Sequence, residues 1–362
     1  MTAVHQFLPT LARRDAVGGH ALRVQELLRD LGAESEIYAI DVGPEMRGRA
    51  HPYDRFRGGR GTTWLLYQAS TGSRLADWLM ERPEPLVVNY HNITPVEFFA
   101  GWEPAVAAEL RLGRRQLAQL AGRTELVIAD SAYNEAEVVA LGYRRTAVAP
   151  ILFDPAVFEH EVDEELLGRL REAKAAGGAD LLFVGRLAPN KAQHDLVKAL
   201  AAYRRAYDPR ARLHLVGAAS SHAYLETLRA YVHALGLDDA VNLAGSVPDA
   251  ELAAYYEAAD VFVSASEHEG FCVPLLEAMH HRVPVVAFSE AAVPETLGPA
   301  GVLLGSKEPT RMAAAVARVS GDPALREALA DAGTVRLADF DLTRARSRFA
   351  VAVRELLDGA TA

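Results

Sequence analysis

Two carboxylates flank a turn where an anionic ligand could be held. Glu269 and Glu277 lie in the string VFVSASEHEGFCVPLLEAMHHRVPVVAFSEAAVPETL, residues 261 to 297. An apolar run of strand length, Val261 to Ala265, opens it, and a polar turn, Ser266 to Gly270, follows. Pro274 then starts a short helical stretch, a position Pro favours because its missing N–H would be unsatisfied there anyway. A helix N-terminus that follows a strand and a Gly turn is an anion site, usually for phosphate. The N–H groups of Phe271, Cys272 and Val273, beside Gly270, can reach phosphate oxygens. Glu269 sits on the loop and Glu277 one turn inside the helix, so they can hold different parts of one ligand. A carboxylate accepting from neighbouring hydroxyls makes strong, charge-assisted bonds. A lone Glu pair would read as a solvated βα connection, because surface Glu is common. The Gly-Phe-x-x-Pro insert and the flanking strands favour a ligand site.

This stretch resembles the E-x7-E motif of retaining glycosyltransferases with the GT-B fold, glycosyltransferase family 4. EHEGFCVPLLEAM followed by PVV and VPETLG is that family's usual continuation. The resemblance implies that Glu269 lies beside the donor sugar and that Glu277 takes the ribose hydroxyls. The family often has Gly where this chain has Cys272.

Residues 181 to 200, LLFVGRLAPNKAQHDLVKAL, carry two cations. Arg186 and Lys191 follow another strand end, and Asn190 suits the N-cap of the next helix. Alone they could be solvated loop charges; beside a helix start they suit a diphosphate. Both match the family's G-R-x-x-x-x-K element, which implies that they stabilise the departing nucleotide diphosphate. No D-x-D motif precedes a ligand cluster, so these cations would replace a divalent metal, and neither a metal nor any other cofactor is expected.

Three weaker signals are read with the same family. Gly18-Gly19 lies between the first strand and first helix, where Gly lets a backbone approach a ligand or simply forms a turn. The family position implies a loop over the donor phosphates or the reacting sugar. His91, just past the strand in VVNYHNITPVEFF, is expected to hydrogen-bond the donor sugar and shape the reaction centre, a role the family's frequent His on this loop supports. Phe98, Phe99 and Trp102 line an acceptor groove or simply pack. Residues 244 to 260 resemble the loop that reads the nucleotide base, near Ser246 and Val247, and also give a capped helix start at Pro248 and Asp249.

Residues 44 to 62, PEMRGRAHPYDRFRGGRGT, hold five Arg and two acidic residues without a helical or strand period. They read either as a mobile solvated loop or as an acceptor contact. In the second reading Arg47, Arg49, Arg55, Arg57 and Arg60 meet an acidic or phosphate-bearing acceptor, because a guanidinium fork matches phosphate. An anionic membrane would attract the same loop.

The elements that must position these residues follow from periodicity. Short β-type runs alternate with helical patterns, which reads as βαβ units and parallel sheet. Strands are expected at Ala3–Leu8, Glu36–Ile40, Thr63–Tyr67, Leu86–Tyr90, Glu125–Ala129 and Thr146–Ala149. Helices are expected at about 19–31, 73–80, 104–121 and 132–140. From Pro150 to Ala179 the pattern weakens to a loop, one acidic helix and a Gly-Gly stop. It then restarts with strands at Leu181–Gly185, Arg212–Gly217, Val241–Ala244, Val261–Ala265, Val283–Phe288 and Gly301–Leu304. Helices are expected at about 190–206, 221–235, 249–258, 274–281, 309–318, 323–335 and 343–358. The expected fold class is α/β, two Rossmann-like parallel-sheet domains facing a central cleft, the GT-B architecture. Residues 1–150 form the acceptor-side domain, 151–178 a linker and 179–340 the donor-side domain. The resemblance implies that the helix in 341–362 crosses back to the first domain.

Bulk properties agree with this organisation. At 362 residues the chain is long enough for two cores. Its net charge of −10 argues against a general nucleic-acid partner. One cysteine leaves no internal disulfide framework and fits a reducing cytoplasm. The N-terminus lacks a signal-peptide core, and no apolar run approaches the roughly 20 residues of a membrane span. The expected setting is cytoplasmic, extending to the inner membrane face.

The function expected is transfer of a sugar from a UDP- or GDP-sugar to the hydroxyl of a glycan, a lipid-linked or a small-molecule acceptor, with retention of configuration. It would serve glycan, glycolipid or cell-surface polysaccharide synthesis. The alternatives are a sugar-nucleotide epimerase of the same fold and a catalytically silent sugar-nucleotide-binding protein. A dinucleotide dehydrogenase is disfavoured because no G-x-G-x-x-G follows a strand and opens a helix.

Overall fold

The computed structural model describes residues 2–12, 16–58, 61–154 and 161–358. The chain divides into two compact units, the first made of Met1–Glu97, Pro104–Phe153 and Phe340–Ala362, the second of Phe98–Glu103 and Asp154–Asp339.

Unit 1 runs β1 (Ala3–Leu11), α1 (Ala16–Asp30), β2 (Ile37–Val42), β3 (His51–Pro52), β4 (Thr63–Ala69) and α2 (Arg74–Met80). It continues with β5 (Leu86–Tyr90), α3 (Pro104–Leu120), β6 (Thr124–Ala129), α4 (Ala132–Ala140) and β7 (Thr146–Val148). Among the described residues its sheet has the order β3-β2-β1-β4-β5-β6-β7, and its pairings are parallel. A parallel strand is covered on both faces, so it must be apolar almost throughout. LVVNY of β5 is buried at every position.

Unit 2 starts with α5 (Glu164–Ala175), β8 (Asp180–Val184), α6 (Gln193–Ala206), β9 (Arg212–Val216), α7 (His222–Ala234), β10 (Val241–Gly245) and α8 (Asp249–Ala258). It ends with β11 (Val261–Ser264), α9 (Val273–His280), β12 (Val285–Phe288), α10 (Val293–Leu297), β13 (Gly301–Leu304), α11 (Pro309–Gly321) and α12 (Pro323–Leu337). The sheet order is β10-β9-β8-β11-β12-β13 among the described residues. Its core joins Leu181, Phe183, Leu213, Val261 and Val263 to Leu196, Leu200, Met312 and Val316 of α6 and α11.

The last helix, α13 (Leu342–Asp358), belongs to unit 1, where Phe349 and Val353 pack with Val24, Leu28 and Ile128. None of the described helices is long and apolar enough to cross a membrane.

Four local outcomes differ from the sequence expectations. The strand expected from Val283 begins at Val285, because Pro284 has no N–H to give. Residues 44 to 62 contribute a two-residue edge strand, β3, paired with Tyr38 and Ala39. The first helix starts at Ala16, so Gly18 and Gly19 lie in its first turn. Asn190 caps no helix: it sits buried in a 3-10 turn, Pro189–Lys191, and α6 starts after Ala192 in the left-handed region.

Candidate functional site

In open α/β sheets the ligand position is the carboxyl edge where the strand order reverses. In unit 2 that point lies between β8 and β11. The segments that leave these two strands carry Arg186, Lys191 and Glu269, and Glu277 follows on α9.

After β8 the chain turns at Gly185, which lies against Gly217 beyond β9. A Cβ on Gly217 would stand 2.1 Å from the Gly185 carbonyl oxygen, so only glycine fits. Arg186 follows and is exposed. Its carbonyl accepts from Gln193 Nε2 at 2.9 Å, which fixes the turn into α6. Asn190 then stitches this loop to the one after β11. Its side-chain amide donates to the His268 carbonyl at 3.3 Å, and its own carbonyl accepts from the Glu267 N–H at 2.9 Å. This double tie places Lys191 Nζ 2.6 Å from Glu269 Oε1, with the side chains 15% and 11% exposed. Lys191 and Glu269, which are 78 residues apart, thus form one half-buried ion pair at the switch point.

A second cation supports the same loop. Lys307, between β13 and α11, bridges Asp195 at 2.6 Å and Glu267 at 2.5 Å. Burial works against its charge, but the hydrogen bonds to Asp195 and Glu267 hold the ammonium above its ordinary range. No sequence signal marked Lys307, which stands 40 residues beyond Glu267 on a different loop.

The chain enters α9 through Cys272, which has φ 72° and ψ 66°, a left-handed conformation at the N-cap. Phe271 and Cys272 are buried and Gly270 and Val273 half-buried. Thr296 Oγ1 donates to the Phe271 carbonyl at 2.5 Å, and the Ala292 N–H donates to the Glu269 carbonyl at 3.2 Å. These two bonds hold the backbone entering α9 in place beside the Glu269 loop. Burial pushes the Cys272 thiol well above its ordinary range, and the Glu269 carboxylate adds to this. Its side chain is buried and packs.

Glu277 has different neighbours. It is buried and accepts from the Tyr256 hydroxyl at 2.7 Å. Burial raises its carboxyl to about 7, with the Tyr256 bond opposing. His281 stacks on the Tyr256 ring at 4.9 Å between centroids. Burial, then the neighbouring His280, lowers His281 to about 4, so it stacks as a neutral ring. Ser246 is exposed and Val247 half-buried, just past β10 on the same carboxyl edge.

The segment Phe98–Glu103 belongs to unit 2. Phe98 lies 6.2 Å from the His268 ring. Phe99 is buried, and Trp102 meets Tyr224 edge-on at 5.2 Å. Of the two sequence alternatives for these aromatics, Phe99 and Trp102 therefore pack. Glu103 accepts from Ser221 Oγ and from the His222 N–H, both at 3.0 Å.

In unit 1, His91 leaves the carboxyl end of β5. Its ring is not open to a ligand as expected: Nδ1 lies 2.8 Å from Asp130 Oδ2 and Nε2 lies 2.6 Å from Gln68 Oε1. The His91 and Asp130 side chains are each 1% exposed. Asp130, Gln68, Gln6, Asn89 and His20 complete this cluster, and nothing in the linear sequence pairs them. Gly18 has a packing reason to be glycine, since a Cβ there would stand 2.6 Å from the Ala12 carbonyl oxygen. Gly19 accepts from Arg23 through its carbonyl at 3.2 Å.

Residues 44 to 58 are anchored rather than loose. Phe56 is buried against Phe7 and Tyr38, and Arg82 lies over its ring at 5.2 Å. Arg47, Arg49, Arg55 and Arg57 are exposed around that anchor. Arg60 lies outside the described residues.

Two Rossmann-like parallel-sheet units, the second with a cation–carboxylate pair and a helix N-terminus at its switch point, define the GT-B class. The chain resembles the group 1 glycosyl transferases. The profile of that family, Glycosyl transferases group 1, matches residues 169–336. D-inositol 3-phosphate glycosyltransferase of Thermomonospora curvata is 32% identical over 277 residues, 70% of this chain and 61% of that protein. The chain spans between about three fifths and two thirds of the length of the curated relatives it matches first, 61%, 60% and 66%. Among solved structures, Anabaena HepE in complex with UDP and glucose superposes with a TM-score of 0.75 at 19% identity, covering 98% of this chain and 100% of that one. Sucrose-phosphate synthase of Thermosynechococcus elongatus gives 0.74 at 19% identity, covering 99% and 100%. At that identity the two likenesses show the fold.

Proposed function

We propose that the protein transfers a sugar from a nucleotide-diphosphate donor, a UDP- or GDP-sugar, to an acceptor hydroxyl with retention of configuration. The observation that carries this is the Lys191–Glu269 pair, 2.6 Å apart on the carboxyl edge between β8 and β11. A hydroxylated, anionic ligand can divide the pair between its parts. Lys191 and the exposed Arg186 turn to the diphosphate and meet the charge it gains as it leaves. Glu269 turns to the sugar hydroxyls, Glu277 to the ribose, and the N–H groups entering α9 to phosphate oxygens. Ser246 and Val247 lie on the same edge, at the base.

The step balances without a protein base. The acceptor oxygen bonds to the anomeric carbon as the carbon–phosphate oxygen bond breaks on the same face, and the acceptor proton passes to the leaving phosphate oxygen. Lys191 and Arg186 supply the positive charge at that oxygen. Glu269 is paired with an ammonium and serves as a hydrogen-bond acceptor, not as a nucleophile.

Unit 1 is assigned the acceptor, and the exposed arginines around Phe56 support one that carries phosphate or carboxylate. The relative from Thermomonospora curvata, by its name, acts on a phosphate-bearing inositol. A lipid-linked acceptor at an anionic membrane face would suit the same arginines, within glycan, glycolipid or cell-surface polysaccharide synthesis.

The test is a panel of UDP- and GDP-sugars in thermal shift, followed by NMR of the product's anomeric centre. A donor at 100 times its dissociation constant should add about 2.7 kcal/mol of stability. A product of inverted configuration, or stabilisation by none of the donors, overturns the proposal.

A further inference from the structure

We propose that Asp130, Gln68 and Gln6 are positioning residues that hold His91 as a fixed imidazolium, with both ring N–H groups donating. The functional part of this rests on the sugar-transfer reading above. The protonation part rests on the direction of a buried hydrogen-bond chain whose two ends are main-chain atoms.

At one end Gln6 Nε2 donates to the Ala21 carbonyl at 2.8 Å. Gln6 Oε1 is therefore its acceptor atom, and it takes Gln68 Nε2 at 2.7 Å. That leaves Gln68 Oε1 facing His91 Nε2 at 2.6 Å, so Nε2 carries a proton. At the other end the Leu152 N–H donates to His20 Nδ1 at 3.0 Å. His20 Nε2 must then carry its proton and donate to Asn89 Oδ1 at 2.8 Å. Burial, then the neighbouring His91, lowers His20 to about 3, which agrees with one proton on that ring. Asn89 Nδ2 donates onward to the Ile128 carbonyl at 3.0 Å and to Asp130 Oδ1 at 3.4 Å. Asp130 Oδ2 is left facing His91 Nδ1 at 2.8 Å.

Each neutral form of His91 breaks a bond unless Asp130 itself carries the proton, a form that burial favours by raising its carboxyl and that the charge and hydrogen bond of His91 oppose. The Nε2–H tautomer turns its Nδ1 lone pair on Asp130 Oδ2. The Nδ1–H tautomer turns its Nε2 lone pair on Gln68 Oε1. Flipping the Gln68 amide repairs that only if Gln6 flips too, and Gln6 Oε1 then faces the Ala21 carbonyl with no proton between them. A buried acceptor pair of that kind costs the full desolvation of both groups. With both nitrogens protonated, every donor in the chain has an acceptor. The result is a cation fixed just beneath the carboxyl edge of the unit 1 sheet, placed by neighbours on β1, β4 and β5 and just past β6. It complements negative charge on a substrate bound over that edge without touching it.

The discriminating variant is Asp130→Asn. Its amide can donate to Nδ1 of a neutral His91 while its carbonyl still accepts from Asn89, so the fold keeps its bonds and the charge is lost. In full-length protein with 15N-labelled histidine rings, and His91→Gln to assign the signals, wild-type His91 should show both nitrogens protonated at neutral pH. In Asp130→Asn, Nδ1 should show the unprotonated signature. The melting temperature should stay within a few degrees of wild type. Turnover should fall about tenfold to a hundredfold with the donor KM unchanged, since a contribution to transition-state charge is removed and donor binding is not. An unprotonated Nδ1 in the wild type overturns the protonation. Wild-type turnover in Asp130→Asn overturns the positioning role. If wild-type protein transfers sugar from none of the donors, the sugar-transfer reading fails and the ring spectrum still decides the protonation.

Discussion

Lys191 Nζ and Glu269 Oε1 are 2.6 Å apart, yet they arrive from loops after two different strands and are brought together by the buried amide of Asn190.

That relationship makes the first prediction a comparison of single and double variants. Lys191→Ala removes the charge proposed to meet the leaving diphosphate and should lower turnover by roughly 100-fold, about 3 kcal/mol. Glu269→Gln should lower turnover with the nucleotide still bound. Because the residues are partners, the double variant should be far less impaired than the sum of the two. Additive losses in steady-state kinetics would mean that they act on separate steps.

The second prediction concerns Glu277. Its carboxyl is raised to about 7 by burial, against about 4.5 in the unfolded chain. The folded state therefore keeps a proton that the unfolded state has lost, so stability falls as pH rises from about 4.5 to about 7. Glu277→Gln removes that penalty and should stabilise the ligand-free protein at pH 8 by up to about 3 kcal/mol. At pH 4 the gain should vanish. The same variant should weaken nucleotide binding, because the carboxylate proposed to accept from ribose hydroxyls is gone. Denaturant melts at the two pH values, with calorimetry for the free diphosphate product, check both halves. A variant less stable than wild type at pH 8 would contradict the assignment.

These two glutamates show how much the sequence reveals and where it stops. The alternation of apolar runs and helical patterns locates most of the elements, because a parallel strand buried on both faces has to be apolar along its length. β3 escapes, since two residues at a sheet edge carry no period. The positions of Glu269, Arg186 and Lys191 at strand ends are legible for the same reason. What they touch is not. Asn190 has the composition of a helix cap, but its amide serves the His268 carbonyl, a contact 78 residues away in sequence. The neighbours of His91 come from positions 6, 20, 68, 89 and 130, and no local pattern links them. Lys307 is invisible because its partners, Asp195 and Glu267, lie on other loops.

The third prediction tests Cys272, a non-glycine residue at φ 72°. A left-handed conformation costs a residue with a Cβ roughly 1–2 kcal/mol. Cys272→Gly should therefore be near neutral in thermal unfolding, although it deletes a buried side chain. Cys272→Val should lose more than about 2 kcal/mol, because a β-branched residue is a genuine outlier there. The buried thiol should react with a disulfide reagent at pH 8 only after denaturant is added. Equal stability of the Gly and Val variants would show that the loop relaxes out of this conformation.

The last prediction concerns the arginines around Phe56. Phe56 anchors the segment in unit 1, so exposed Arg55 and Arg57 are carried on a fixed surface rather than on a loose loop. Fixing the chain lowers the ordering cost of a contact with an anionic acceptor. Each exposed ionic contact is worth about 0.2–1 kcal/mol. Changing Arg55, Arg57 and Arg60 together to Gln should raise the acceptor KM by about threefold to a hundredfold. The donor KM should hardly move, because Arg186, Lys191 and Glu269 are untouched. The effect should shrink as added salt shortens the screening length from about 30 Å at 0.01 M to about 8 Å at 0.15 M. Binding to vesicles of anionic lipid, compared with neutral vesicles, separates the two sources of the negative charge. A triple variant that loses vesicle binding but keeps its KM for a soluble phosphate-bearing acceptor places the arginines on the membrane. One that loses affinity for the soluble acceptor places them on the acceptor itself. Wild-type behaviour in both assays at low salt would leave the segment a solvated connection held by Phe56.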